Sequence, residues 1–293
     1  MRRIETSAEP GRFFDGGTAS APPDPASPPR IVLERVEVGD VRRRTERFRM
    51  QRRIAYCDRE YGVLLVPADP GAFDSDLASV PALFTWLVPR TGRHLPPALL
   101  HDGLVHGAHE PPDYVSEEGH VLDRVAADRV FRDAMRDTDT GPVRSWLVWS
   151  AVTLGTIRSG STAWSRGRHL RYLLAAAGSL LAIAVLGVLA TLDLFDVIDV
   201  VPWMGLQPFA DELVDGLAGA VVVPLVLGLL WGRFAVAGAV TGVALAILLH
   251  VTVVLGTISL GYLATEWVAR RQPIAVLTAA GVVAGASLLV LIL

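Results

Sequence analysis

A histidine and two aspartates at helical spacings between Pro96 and Met135 are the side chains here best suited to acid–base chemistry. They lie in Leu99-Leu100-His101-Asp102 and in Ala127-Asp128-Arg129. On a first helix, from about Pro97 to His106, His101 shares a face with Ala98, Leu104 and Val105, at spacings of three and four. On a second, from about Val121 to Asp137, Asp128 lines up with Val121, Val125, Phe131 and Met135. A buried carboxylate is costly unless paired, and the natural pair is a histidine across the helix contact. The expected catalytic pair is therefore His101 and Asp128. Their hydrogen bond would fix the imidazole tautomer, stabilise its protonated form and free the other nitrogen to take a proton from water. Asp102 is turned from His101 by about 100° and addresses a different partner. With Asp76, in the polar loop Phe73-Asp74-Ser75-Asp76-Leu77-Ala78-Ser79, it is the candidate ligand for a hard divalent cation such as calcium. Each feature also has a plainer reading. A histidine on an apolar stripe is usually a core residue with its hydrogen bonds satisfied, and aspartates such as Asp76 commonly cap turns and helix starts.

The elements that must position these groups follow from local pattern. Pro97 opens the first helix at a position where a missing N–H costs nothing. A third helix starts at Pro142, behind Thr140 or Gly141, and runs to about Thr156. Ile31–Val38, Phe48–Tyr56 and Tyr61–Val66 are rich in β-branched and aromatic residues and predict strands. Their short links predict one small antiparallel sheet. Pro67 to Pro97 is broken by Gly71, Pro81, Pro89, Gly92 and Pro96, with a short apolar helix or turn at Leu83–Leu87. Residues 1–30 hold nine prolines and glycines after Glu9 and predict a disordered tail. The expected fold is thus an α+β domain over residues 31–158, a small antiparallel sheet with about three helices. A basic linker, 159–171, follows it.

An all-α membrane domain is expected over 172–293. The chain has 293 residues, 51% of them hydrophobic, and its mean hydropathy is +0.40, too apolar for an ordinary soluble protein of this size. Only ten charged residues follow Arg171. Four transmembrane helices are predicted, at about 172–192, 213–232, 235–264 and 274–293. Trp203, Trp231 and Trp267 stand at their ends, where interfacial tryptophans lie. Arg166, Arg168 and Arg171 precede the first span, and an acidic loop follows it (Asp193, Asp196, Asp199, Asp211, Glu212). This asymmetry places the N-terminal domain in the cytoplasm of a multi-pass cell-membrane protein. Arg233 agrees, whereas Arg270 and Arg271 run against it. Gly281 and Gly285 suit close packing of membrane helices. His250 lies at membrane depth with no acidic partner nearby in sequence.

The net charge of −3 gives no global argument for nucleic acid. All 27 basic residues are arginine, the mark of a GC-rich bacterial coding bias. The single cysteine, Cys57, excludes an intramolecular disulfide and a cysteine-based zinc site. No apolar segment follows Met1-Arg2-Arg3, so no cleaved signal peptide is expected. His106, His109 and His120 fall in a polar loop.

Val66-Pro67, Phe73-Asp74-Ser75-Asp76-Leu77-Ala78-Ser79-Val80-Pro81, Leu100-His101-Asp102 and Ala127-Asp128-Arg129-Val130-Phe131 with Ala134-Met135 together resemble a bacterial and phage family. It is domain of unknown function 1353, and the likeness spans about residues 45–157. Ser75 stands for its usual threonine and Val105 for its usual tyrosine. That family brings no activity with it. The His-Asp helix beside an Asp-Arg helix also resembles prokaryotic phospholipases A2. That likeness implies His101 as general base, Asp128 as its orienter and Asp102 as a calcium ligand. The chain departs from it in having no disulfides, Val105 for a tyrosine and no glycine-rich calcium loop. HD-domain phosphohydrolases are a third comparison, but only His94 lies upstream and Asp128 follows too soon for their larger bundle. Two classes of function stand side by side. One is a membrane-tethered hydrolase of lipid or other esters. The other is a non-catalytic binding or assembly module with a structural His/Asp trio, anchored in the bilayer or forming homo-oligomers through its membrane helices.

Overall fold

The computed structural model describes residues 11–38, 45–75, 91–106, 111–161, 163–205 and 207–271. In chain order these form β1 (Phe13–Asp15), β2 (Leu33–Val38), β3 (Thr45–Met50), β4 (Ile54–Asp58), β5 (Gly62–Val66), β6 (Asp74–Ser75), α1 (Leu95–Leu104), β7 (Val115–Ser116), α2 (Arg124–Asp137), α3 (Pro142–Ser159), α4 (Arg166–Leu194), α5 (Phe209–Gly228) and α6 (Ala235–Arg271). Contacts divide the chain into two units, Met1–Ile247 and Leu248–Leu293.

The strands all pair antiparallel, β2–β3 and β4–β5 across short links and the other pairs across longer ones. They form two sheets, ordered β1-β4-β5-β7 and β2-β3-β6, rather than the one small sheet expected. The expected strand Phe48–Tyr56 is split at Gln51–Arg53, and each half joins a different sheet. In the first sheet the alternation of side chains is complete. Phe13, Ile54, Tyr56, Leu64 and Val66 enter the main core with Leu99, Leu100 and Leu104 of α1 and Ala127, Val130 and Ala134 of α2. Phe14, Ala55 and Leu65 form a small cluster of their own on the other face. β1 corrects the expectation of a disordered tail for residues 11–30. The tail's proline and glycine content hid Phe13-Phe14-Asp15, all three buried, with Phe13 packed on Tyr56 at a ring separation of 4.7 Å. Asp15 is ion-paired and hydrogen-bonded to Arg52.

The three helices lie within a few residues of their expected limits. The side chain of Asp123 caps α2 by accepting from the Ala126 amide at 2.8 Å. α1 sits close on β5 at Gly103, where a Cβ would come within 2.4 Å of a Val66 methyl carbon. The far end of α2 is fixed to β4. Asp137 accepts from Tyr56 Oη at 2.8 Å and from two nitrogens of Arg59 at 2.8 and 2.6 Å. Arg132 of α2 lies over the rings of Trp146 and Trp149 of α3.

The expected linker 159–171 is partly helical, since α4 starts at Arg166 with Ser165 as its cap. Among the described residues, two helical stretches, Arg166–Leu194 and Phe209–Val251, are long and apolar enough to cross a membrane, and little of each is buried. This corrects the expectation of four such spans. The second and the first part of the third fall within the one stretch Phe209–Val251, which a 3-10 turn at Leu229–Phe234 folds back between α5 and α6. Close helix approach at the turn needs a bare backbone: a Cβ on Gly228 would meet the Ala239 nitrogen at 2.6 Å. The fourth expected span, with Gly281 and Gly285, lies outside the described residues, as does the helix or turn at Leu83–Leu87. Trp231 is not a lipid-facing anchor. It is buried, and its Nε1 donates to Ser179 Oγ of α4 at 2.8 Å. Ile157 of α3 packs with Ala176, Trp231 and Phe234, and Val125 of α2 lies against the same cluster.

Replacing Phe13 with alanine should cost about 3–5 kcal/mol of stability, as for other buried phenylalanines; a denaturation midpoint equal to wild type would show that β1 does not hold the sheet. Asp137 generates a pH prediction. Burial opposes its ionisation, but hydrogen bonds from Arg59 and Tyr56 outweigh that, and its pKa lies below the ordinary value. A depressed carboxylate stabilises the fold above its unfolded pKa of about 3.9 and loses that contribution as pH falls through the folded value. Asp137→Asn should therefore lower stability at pH 7 by about 1–3 kcal/mol. It should also flatten the loss of stability measured by urea unfolding below about pH 4.

Candidate functional site

α1 and α2 bring His101 and Asp128 together because both sit on the apolar stripes by which these helices pack. Ala98 of α1 and Phe131 and Met135 of α2 form one buried cluster beside the main core, with Val148, Trp149 and Val152 of α3 against it. His101 Nε2 and Asp128 Oδ1 are 2.9 Å apart. Asp128 is buried, with 3% of its side chain exposed against 13% for His101. The imidazole stacks on Phe131, with ring centroids 4.7 Å apart and planes 27° from parallel. A carboxylate only accepts, so Nε2 carries the proton towards Asp128 in the neutral ring, and Nδ1 holds the lone pair. Asp128 Oδ2 is buried and, among the described residues, has no hydrogen-bond partner. The dyad thus has one closed bond, one basic nitrogen, and one acceptor oxygen beside it with unused capacity.

Asp102 addresses a different neighbour, as its 100° offset requires. Its Oδ2 accepts from Ser75 Oγ at 2.6 Å. Ser75 is buried on β6, whose register with β3 sets Ser75 opposite Phe48 and Asp74 opposite Arg49. Arg49 Nε and Nη2 donate to Asp74 at 2.7 and 3.0 Å, and that hydrogen bond is the first cause of a lowered Asp74 pKa. Asp74 is therefore a clamp that holds β6 beneath α1. Sequence reasoning missed both Ser75 and the Arg49–Asp74 pair. Their only signal was the polar run Asp74-Ser75-Asp76, in which Ser75 is buried.

Asp76, the other expected metal ligand, lies outside the described residues. Among the described residues no group of three His, Cys, Asp or Glu side chains is placed to hold a metal ion. His94, the upstream histidine of the phosphohydrolase comparison, is buried at the start of α1. A second polar cluster surrounds the β4–β5 turn. Asp58 Oδ1 accepts from the amides of Glu60 and Tyr61 at 2.9 and 3.0 Å and from Arg129 at 3.3 Å. Arg129 also pairs with Glu60 and Asp133 and lies over the Tyr61 ring. The arginine that follows Asp128 in sequence thus serves the sheet, not the dyad.

His101→Ala and Asp128→Ala should each destabilise the fold, and the two changes should couple by about 0.5–3 kcal/mol in a double-mutant cycle, as expected for a directly bonded pair. Additive effects would mean that the 2.9 Å contact contributes nothing in solution.

No curated protein and no solved structure matches this chain, and nothing in those comparisons supports the likeness to phospholipases A2. The family comparison does match. Residues 48–152, which run from β3 into α3 and contain Ser75, His101, Asp102 and Asp128, match the family described as Protein of unknown function (DUF1353).

Proposed function

We propose that the chain is a membrane-tethered hydrolase of lipid or other esters, with His101 as general base and Asp128 as the group that orients it. The observation that carries this reading is the 2.9 Å contact between His101 Nε2 and a buried carboxylate. It leaves Nδ1 as the basic nitrogen. A water held at Nδ1 gives up its proton to the ring as its oxygen attacks the ester carbonyl, and the ionised Asp128 stabilises the imidazolium that forms. The proton then passes to the departing alkoxide. Phe131, stacked on the ring, holds it against rotation. Asp102 sits one residue from the base and is tied to Ser75, so it is the nearest group to bind a cation or a polar part of the substrate.

The membrane part of the reading rests on two stretches of spanning length and on the distribution of charge. Arg166, Arg168, Arg171 and Arg233 lie towards one end of the helical hairpin. Asp193, Asp196, Asp199, Asp211, Glu212 and Asp215 lie towards the other. The arginine end faces the cytoplasm under the positive-inside rule, and the DUF1353 domain lies on that side of a multi-pass protein in the cell membrane. The partner of the hairpin is the lipid bilayer, with further spans and homo-oligomers formed through the same helices.

One observation favours the non-catalytic reading. Asp128 and the His101 ring are both largely enclosed, and enclosed polar pairs also serve to fix one helix contact. Full-length protein in detergent, assayed on short-chain p-nitrophenyl esters and on phospholipids, separates the two. The hydrolase reading predicts turnover that falls about 10²–10⁴-fold in His101→Gln, while circular dichroism and the melting midpoint stay close to wild type. No turnover by the wild type on either substrate class, with a lowered midpoint in His101→Gln, would establish the binding-module reading instead.

A further inference from the structure

The end of the hairpin beside the N-terminal domain carries an arginine cluster that the dyad does not use. Arg158 lies in the last turn of α3, Arg166, Arg168 and Arg171 on the first turns of α4, and Arg233 in the turn between α5 and α6. All five are exposed. Among the described residues none of them is ion-paired to a carboxylate, in contrast to the arginines of the N-terminal domain, where Arg49, Arg52, Arg59 and Arg129 are all paired.

The start of α4 and the turn before α6, distant in sequence, are held together here by one aromatic patch. Trp164 lies 5.0 Å from Tyr172 and 5.7 Å from Phe234, and Tyr172 meets Phe234 edge-on at 5.2 Å. His169 Nε2 donates to the Ile157 carbonyl at 2.9 Å, joining α3 to α4. Arg233 stacks over Phe234. The opposite end of the hairpin is acidic, and its carboxylates are partly engaged. Asp193 accepts from the amides of Val200 and Val201, and Glu212 from that of Gln207.

We propose that this arginine and aromatic collar binds the phosphate headgroups of anionic phospholipids, an inference that rests on the membrane reading above. Aromatic side chains at the end of an apolar hairpin mark the depth of the headgroups. Guanidinium groups at that depth meet phosphate oxygens with matching geometry. Anionic lipid is favoured over zwitterionic lipid because, among the described residues, none of the five arginines is ion-paired, and the nearby Asp123, which accepts from Ser161 and caps α2, is one carboxylate against five guanidinium groups. The collar also lies next to the helix that bears Asp128, since Val125, three residues earlier, packs on the same cluster as Trp164 and Tyr172.

The test uses the full chain. Flotation with phosphatidylcholine vesicles after carbonate washing comes first. Micelles are then titrated with dioctanoyl phosphatidylglycerol, dioctanoyl phosphatidylcholine or inorganic phosphate, with retained lipid read by native mass spectrometry and stability by melting midpoint. Phosphatidylglycerol should bind and raise the midpoint, and the other two should not. R233Q should weaken that binding about fivefold, from the usual contribution of one surface arginine, and R166Q/R168Q/R171Q by more. Equal response to both lipids, reproduction of the effect by phosphate alone, or wild-type affinity in the triple variant would each overturn the collar. Protein that inserts into vesicles but fails these tests sinks this proposal alone; protein that stays in the soluble fraction sinks the membrane reading with it.

Discussion

Asp128 is ionisable, sits on an apolar helix face and has 3% of its side chain exposed, and much of the segment that holds α1 and α2 is arranged around that cost. A carboxylate in such a place destabilises the fold unless a donor meets it. The donor is on a different helix, so the packing of α1 on α2 is fixed in rotation and in height. A turn of either helix by one residue would separate His101 from Asp128 and expose part of the apolar cluster of Ala98, Phe131 and Met135. Other restraints act in the same direction. Gly103 lets α1 lie close on β5, and Asp137 ties the end of α2 to β4. Phe131 closes one face of the imidazole. The histidine is thereby held with one nitrogen committed and the other free, a state that an exposed ring would not keep.

The same helix links this arrangement to the apolar hairpin. Val125 precedes Asp128 by one turn and packs with Ile157, Ala176, Trp231 and Phe234. Trp231, which by position alone would be an interfacial anchor, is turned inwards and bonded to Ser179. The junction between the two parts of the chain is therefore a packed surface as well as a covalent tether. A hydrolase built this way would carry its base close to the level at which lipid headgroups begin.

The dyad was legible in sequence because helical spacing and the cost of a lone buried carboxylate give the same answer for His101 and Asp128. Helix limits were legible to within a few residues, since Pro97 and Pro142 mark two of the starts; the Asp123 cap of α2 was not read from the sequence. What sequence could not show depends on long-range pairing. Ser75 and Arg49 are 26 residues apart, and only the register of β6 on β3 brings Asp74 and Ser75 under α1. Phe13-Phe14-Asp15 is a strand because β4 offers it an edge, and the surrounding prolines and glycines gave composition the stronger voice. The three strands expected in one sheet belong to two because Gln51–Arg53 turns the chain between them. Hydropathy found the apolar segments and placed the break between the second and third near Arg233, where the turn at Leu229–Phe234 and the close approach at Gly228 set it. Asp76 and the last expected span lie outside the described residues, so the cation and the fourth helix stay expectations of the sequence.

The tautomer of His101 tests the central claim most directly. Selective ¹⁵N labelling of the seven histidines, with His101 assigned by its loss in His101→Gln, reports which ring nitrogen carries the proton. A neutral ring protonated at Nε2, with a two-bond coupling pattern that changes in Asp128→Asn, is the result predicted by a base oriented through Asp128. A neutral ring protonated at Nδ1, indifferent to Asp128→Asn, would contradict it.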